Sequence, residues 1–177
     1  LMMVAAFLIR LTSKGPALYK QTRVGLKGRH FEIYKFRTMV VGAENIEKFL
    51  SADERAFYQK NRKLARDPRV TGIGAKLRAS SIDELPQLLN VLKGDMSLVG
   101  PRPMLPEEVE PYGDEYFRYI QMRPGITGLW QIKSRHETQM SARATVDAEY
   151  YGKRCLKVDI TLLFATAKAV LFRKGAY

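Results

Sequence analysis

Leu85, Leu88, Leu89 and Leu92 recur at the i, i+3, i+4, i+7 spacing of one helical face, and both ends of that helix are marked. Gly94 is placed for a C-terminal stop, and Pro86 fits only within the first turn. The adjacent carboxylates Asp83 and Glu84 therefore lie at the N-terminus of a short helix or just before it. The helix dipole there favours ionised carboxylates, and Ser81-Ile82-Asp83-Glu84 also fits a capping box. Taken alone, the pair reads equally as a cap or as chemistry.

Around this helix the chain alternates short elements. Leu18–Val24 and Phe31–Thr38 read as strands, with Gly25-Leu26-Lys27-Gly28 between them, whose glycines supply the turn of a predicted β-hairpin. Residues 43–65 contain no Gly or Pro and space Ile46, Phe49, Leu50, Phe57 and Leu64 for a helix that ends at Asp67-Pro68. A short helical stretch through Leu77 and Arg78 follows Thr71-Gly72-Ile73-Gly74. Residues 106–122 read as mostly helical with a break near Pro111 to Gly113, 123–128 as a loop, and 137–151 and 156–172 as closing helices. At 177 residues the chain suits one domain, 1–177, with one core as the working assumption. These elements predict an α+β fold, mainly helical, with a small hairpin.

Thirty Lys and Arg against eighteen Asp and Glu leave a net charge of +12, which implies a polyanionic partner: nucleic acid, an acidic membrane surface or a phosphorylated substrate. Composition does not choose among them. Eight of the cations fall between Arg10 and Arg37 with one acid, Glu32. They follow the apolar run Leu1 to Ile9, which is too short to span a bilayer and lacks the basic start of a signal peptide. Leu1 to Leu11 reads as the end of a longer membrane-inserted or interfacial segment, with an ordinary buried helix as the alternative. Residues 156–172 combine apolar side chains with basic flanks and suit either a headgroup layer or a core helix with a wet edge. The single cysteine, Cys155, excludes an internal disulfide and reads as a small core residue or a reactive thiol.

Common catalytic patterns are absent from the sequence. His30 and His136 belong to no H-E-x-x-H pattern, Gly72-Ile73-Gly74 lacks the third glycine of a dinucleotide fingerprint, and there is no P-loop. What favours chemistry at Asp83-Glu84 is the set Lys35, Arg37, Arg78, Arg102, Arg123 and Arg135, each on a strand, a loop or a Gly/Pro-rich stretch suited to clamping phosphates. A carboxylate beside a metal ion and a diphosphate can attack phosphorus, so charge logic points to a phosphoanhydride substrate.

The order Lys35-Phe36-Arg37-Thr38-Met39, Asp67-Pro68-Arg69-Val70-Thr71, the unbroken block from Ser81 through Leu85-Pro86-Gln87 and Gly94-Asp95 to Gly100-Pro101-Arg102-Pro103, and Arg123-Pro124-Gly125-Ile126-Thr127-Gly128-Leu129-Trp130-Gln131 resembles the bacterial sugar transferase family, the monotopic polyprenyl-phosphate phosphoglycosyl transferases. The resemblance extends over nearly the whole chain. It implies a membrane-associated catalytic domain with amphipathic interfacial helices on the cytoplasmic face of the bacterial inner membrane. The implied reaction moves a sugar 1-phosphate, expected to be a hexose 1-phosphate, from a UDP-sugar to undecaprenyl phosphate and releases UMP. This would be the first membrane step of exopolysaccharide, O-antigen or capsule synthesis. By position Asp83 inherits the nucleophile and Glu84 the Mg²⁺ ligand. Lys35, Arg78 and Arg102 inherit phosphate and nucleotide contacts, with Pro101 and Pro103 fixing the approach of Arg102, and Arg37, Arg123 and Arg135 join the site set. Leu1 to Leu11 would be the second half of a re-entrant helix.

The chain departs from the family pattern at Ser134-Arg135 and at Arg154-Cys155-Leu156, which bears on sugar choice and membrane contact. Anionic lipid is a further expected partner, nucleic acid is not, and a homodimer is compatible with the sequence. The competing readings are a nucleic-acid-binding module using Lys35-Phe36-Arg37 as an aromatic platform between cations, and a basic peripheral membrane scaffold without catalysis.

Overall fold

The computed structural model describes residues 1–61, 64, 66–133 and 140–172. They divide into two compact units: Leu1–Tyr19 with Lys35–Leu85, and Lys20–Tyr34 with the chain from Pro86 onward. The hairpin formed by β1 (Leu18–Val24) and β2 (His30–Phe36) contributes its open end to the first unit and its closed end to the second. Its turn is built as expected on residues 25–28, where Lys27 and Gly28 both take positive φ, 57° and 72°.

The first unit also holds α1 (Met2–Thr12), α2 (Ile46–Phe49), α3 (Ala52–Asn61) and α4 (Gly72–Ala79). Ala5 and Ile9 of α1, Phe36 of β2 and Leu77 of α4 form its apolar cluster. The single helix expected over 43–65 is instead two, because Ser51 starts a new one. Its hydroxyl accepts from the Glu54 amide at 3.3 Å, while the Glu54 carboxylate accepts from the Ser51 amide at 2.8 Å. That reciprocal pair is a capping box, and it ends α2 as it opens α3.

The residues after β2 pair with the segment before α4. Val40 N–H donates to the Arg69 carbonyl at 2.9 Å and Thr71 N–H to the Thr38 carbonyl at 3.0 Å. Arg69 is buried, bonded to Asp67 through Nε and Nη2 at 2.9 and 2.7 Å, and stacked 4.5 Å from the Tyr58 ring centroid. Burial raises the Asp67 pKa, but the Arg69 hydrogen bonds and charge outweigh it and hold the carboxyl below its ordinary range.

The second unit contains α5 (Gln87–Lys93), β3 (Ser97–Val99), α6 (Val109–Tyr112), α7 (Tyr116–Tyr119), β4 (Gly125–Thr127), α8 (Leu129–Lys133), α9 (Met140–Lys153) and α10 (Leu156–Leu171). One cluster joins Val24, Met104, Tyr112, Tyr119 and Ala144, and a second joins Val99, Met122, Tyr150 and Leu162. Residues 125–127, expected as a loop, form β4 and pair in parallel with β3. Three-residue strands are too short to show a period, and the pairing depends on glycine. A Cβ on Gly125 would lie 2.1 Å from the Gly100 nitrogen, and one on Gly128 2.0 Å from the Gly100 carbonyl oxygen.

The leucine-rich helix forms with the expected bounds, yet its leucine stripe is not a core face. Leu88, Leu89 and Leu92 are exposed, Leu92 at 84%, whereas Gln87 and Asn90 are buried. Asn90 explains the inversion: Oδ1 accepts from the Tyr34 amide at 3.0 Å and Nδ2 donates to the Glu32 carbonyl at 2.7 Å. The polar face is thus tied to the hairpin. Cys155, read as a small core residue or a reactive thiol, is exposed at the N-cap position of α10, which removes the core alternative.

Candidate active site

In the first unit the carboxylate pair sits on a single 3₁₀ turn, Ile82–Glu84, immediately before α5 in sequence. Ser81 enters that turn in the left-handed region, with φ 56° and ψ 16°, and its side chain makes no cap hydrogen bond. The capping box open to Ser81 and Glu84 in sequence therefore does not form. Glu84 instead meets Lys35, whose Nζ donates to Oε1 at 2.8 Å. Lys35 stands near the end of β2, where Phe36 beside it anchors the strand in the apolar cluster.

Arg78, carried by α4, acts on Asp83 through its charge. Thr71 caps that helix, its hydroxyl accepting from the Gly74 amide at 3.0 Å. Gly74 lets the helix press on the strand extension: a Cβ there would stand 2.0 Å from the Thr38 carbonyl oxygen. One turn later, Arg78 Nε donates to Thr38 Oγ1 at 2.9 Å. Thr38, Gly74 and the Asp67–Arg69 pair are thus supports not expected among the site residues. For Thr38, Asp67 and Arg69 the signal was membership of the Lys35–Met39 and Asp67–Thr71 motifs, and for Gly74 its place in Thr71-Gly72-Ile73-Gly74.

Burial, reinforced by the Glu84 charge, pushes the Asp83 carboxyl up to about 6, with Lys35 and Arg78 holding back part of the rise. This direction runs against the expectation that a helix dipole would favour the anion. Removal from water and an adjacent like charge outweigh any dipole at this turn.

Arg37 is buried, and its guanidinium donates to the backbone carbonyls of Ser13, Lys14 and Gly15. It ties down the loop between α1 and β1. Phe36 is only 3% exposed, so Lys35-Phe36-Arg37 offers no stacking platform for a nucleobase.

In the second unit the β3–β4 pairing brings the segments of Arg102 and Arg123 side by side. Gly125 N–H donates to the Pro101 carbonyl at 2.8 Å, and Ser97 N–H to the Pro124 carbonyl at 2.8 Å. Pro101 and Pro103 are buried while Arg102 between them is partly open and Arg123 exposed. Arg135 lies outside the described residues.

The described residues thus form a mainly helical α+β protein in which a carboxylate pair meets a strand lysine and the charge of a helix arginine. The profile of the family described as bacterial sugar transferase matches residues 1–173, and the chain belongs to that family. It is 48% identical over 166 residues to an undecaprenyl-phosphate galactose phosphotransferase of Salmonella typhimurium, covering 92% of this chain and 35% of that protein. It is 41% identical over 173 residues to the exopolysaccharide production protein ExoY of Rhizobium meliloti, covering 96% and 76%. A UDP-glucose:undecaprenyl-phosphate glucose-1-phosphate transferase of Caulobacter vibrioides is 42% identical over 185 residues, covering 100% and 65%. The chain thus spans about a third of the length of some of these relatives and most of the length of others.

Proposed function

We propose that this chain transfers a sugar 1-phosphate, a hexose 1-phosphate, from a UDP-sugar to undecaprenyl phosphate through a covalent phosphosugar-aspartate. The observation that carries the reading is the half-buried Asp83-Glu84 pair faced by Lys35 at 2.8 Å from Glu84 and by the charge of Arg78. In the first step an Asp83 carboxylate oxygen attacks the sugar-bearing phosphorus of the UDP-sugar. The bond from that phosphorus to the bridging oxygen breaks, and UMP leaves with the electron pair. A phosphate oxygen of undecaprenyl phosphate then attacks the same phosphorus, releasing the Asp83 carboxylate and forming the lipid diphosphate-sugar. Two successive displacements spare the site from holding a soluble donor and a membrane-buried acceptor at once.

Lys35 and Arg78 would offset the charge gathered when two carboxylates meet a diphosphate, and Arg102, Arg123 and Arg135 complete the proposed substrate contacts. Asp83 and Glu84 are adjacent hard oxygen donors, a set that suits Mg²⁺ because that ion usually takes one or two carboxylates and keeps waters and substrate phosphates. Glu84, with its side chain 32% exposed, would hold the ion. Bound there, Mg²⁺ supplies neutralisation of the diphosphate charge.

Membrane attachment belongs to the same reading. Among the described residues no helix is long and apolar enough to cross a membrane. Met3, Phe7 and Leu11 of α1 and Leu156, Phe164 and Leu171 of α10 are nevertheless exposed, and the net charge is +12. Apolar side chains beside a polybasic surface favour insertion into an anionic leaflet. The cytoplasmic face of the inner membrane is the proposed location, with Leu1–Leu11 in contact with lipid.

Incubating the protein with UDP-glucose or UDP-galactose and Mg²⁺, without lipid, tests the mechanism. The expected result is one hexose phosphate on the peptide containing Asp83, discharged when undecaprenyl phosphate is added. Release of UMP only when both substrates are present, with no adduct, would overturn it.

A further inference from the structure

Within the second unit, the backbone that follows Gly100 is held at four successive residues by buried or half-buried side chains. Arg143 donates to the Arg102 carbonyl and Arg23 to the Pro103 carbonyl, the latter at 3.0 Å. The Met104 amide donates to the Tyr119 hydroxyl at 3.0 Å and the Leu105 amide to Glu108 Oε2 at 2.8 Å. Proline removes the amide donors of residues 101 and 103, so around Arg102 the stretch is held through its carbonyls, and at Met104 and Leu105 through its amides.

The Arg143 contact is the costly one. Arg143 is 4% exposed and Asp147, one turn along α9, 2%. Their closest approach, Nε to Oδ2, is 3.6 Å, longer than a hydrogen bond. Tyr112 donates to that same Oδ2 at 2.7 Å, and the Arg143 guanidinium lies 5.9 and 5.7 Å from the ring centroids of Tyr112 and Trp130. Arg143 Nε and Asp147 Oδ1 have no hydrogen-bond partner among the described residues. A buried ion pair with incomplete hydrogen bonding is a poor source of stability, since desolvation offsets most of its attraction. What this one supplies is orientation. The rings, Asp147 and Glu108, whose Oε2 accepts from Nη1 at 3.3 Å, fix the guanidinium plane, and its Nη2 is aimed at the carbonyl of the one residue between the two prolines.

The cations here also outnumber the acids. Burial first, and then the charges of Arg102 and Arg143 against the opposing pull of Glu108, lower the Arg23 pKa to about 10. An arriving phosphate relieves that imbalance.

We infer that Arg143, oriented by Asp147, is a positioning residue that sets the backbone of Arg102 so that its guanidinium meets a phosphate of the nucleotide-sugar donor. This rests on the reading of Arg102 as a phosphate ligand. Arg143 itself touches no substrate. The sequence spacing of Arg143 and Asp147, i and i+4, marks an ion pair on one helical face, but only the fold joins it to Arg102.

A double-mutant cycle on the full chain in lipid nanodiscs, read as UMP release from UDP-glucose or UDP-galactose, tests the inference. Arg143→Lys keeps charge and stem but cannot present a planar fork, and it is expected to lower kcat/KM about tenfold, mainly through KM for the UDP-sugar. In an Arg102→Ala background the same change is expected to cost less than about twofold, because there is nothing left to position. Asp147→Asn, close in shape, enters the same cycle should Arg143→Lys fail to fold. A full, additive loss in the Arg102→Ala background overturns the positioning role, as does wild-type kcat/KM in a folded Arg143→Lys protein. Wild-type kcat/KM in Arg102→Ala alone overturns the assignment of Arg102 and this inference with it. That failure is recognisable from the single variant.

Discussion

Lys35 Nζ lies 2.8 Å from Glu84 Oε1, joining the end of a strand to a carboxylate 49 residues later, and it places a cation beside two adjacent acids that burial alone would neutralise. Lys35→Met should remove that cation and leave the Asp83-Glu84 pair with Arg78 as its facing charge. Loss of such preorganised charge costs about a hundredfold or more in turnover. Because the pair is partly exposed, the stability cost should stay near about 1 kcal/mol. Initial-rate UMP release and thermal melting on the same preparation check this. Near-normal turnover would show Lys35 to be a strand anchor only.

The raised Asp83 pKa makes a stability prediction with a definite sign. An acid whose folded pKa rises from 3.8 to about 6 binds its proton more tightly when folded. Its contribution is fully present below the unfolded value and is lost as pH rises through about 6. Asp83→Asn has no such loss. Relative to wild type it should gain on the order of 2 kcal/mol between pH 4.5 and pH 8, measured by denaturant melts in EDTA. A wild-type and variant difference that is flat across that range would mean that Asp83 is as well solvated folded as unfolded.

Gly74→Ala should act at a distance of one helical turn from the site. The added methyl would stand 2.0 Å from the Thr38 carbonyl oxygen, so α4 must shift and Arg78 loses Thr38. The expected cost is about 1–3 kcal/mol of stability, with turnover falling further than melting temperature at assay temperature. Gly72→Ala, where no atom lies within 4 Å of the new Cβ, is the control.

Ser51→Ala should cost about 1 kcal/mol by removing a formed capping box, while leaving UMP release per folded molecule unchanged. Ser81→Ala removes no cap hydrogen bond, since the Ser81 side chain makes none. Chemical denaturation of the two variants in parallel separates these cases, and equal losses would contradict the difference in their geometry.

Ser51 and Ser81 also show where sequence reasoning stops. Both begin the pattern Ser-x-Asp-Glu, and pattern alone assigns each the same cap. Local chemistry did determine a good deal here: the hairpin with its glycine turn, the helix bounded by Pro86 and Gly94, the break near Pro111 to Gly113, and the motifs that mark the family. Those features depend on φ restrictions and on side-chain periods within one segment. Tertiary structure decided the rest. Glu54 is left to cap its own helix, whereas Glu84 is taken by Lys35. The Leu88 and Leu92 stripe faces outward because Asn90 satisfies two backbone groups of the hairpin. The strand at Gly125 exists because Gly100 leaves room for it. In each case the deciding partner is tens of residues away, and free energy gained across that separation overrides preferences of a few tenths to about 1 kcal/mol written locally.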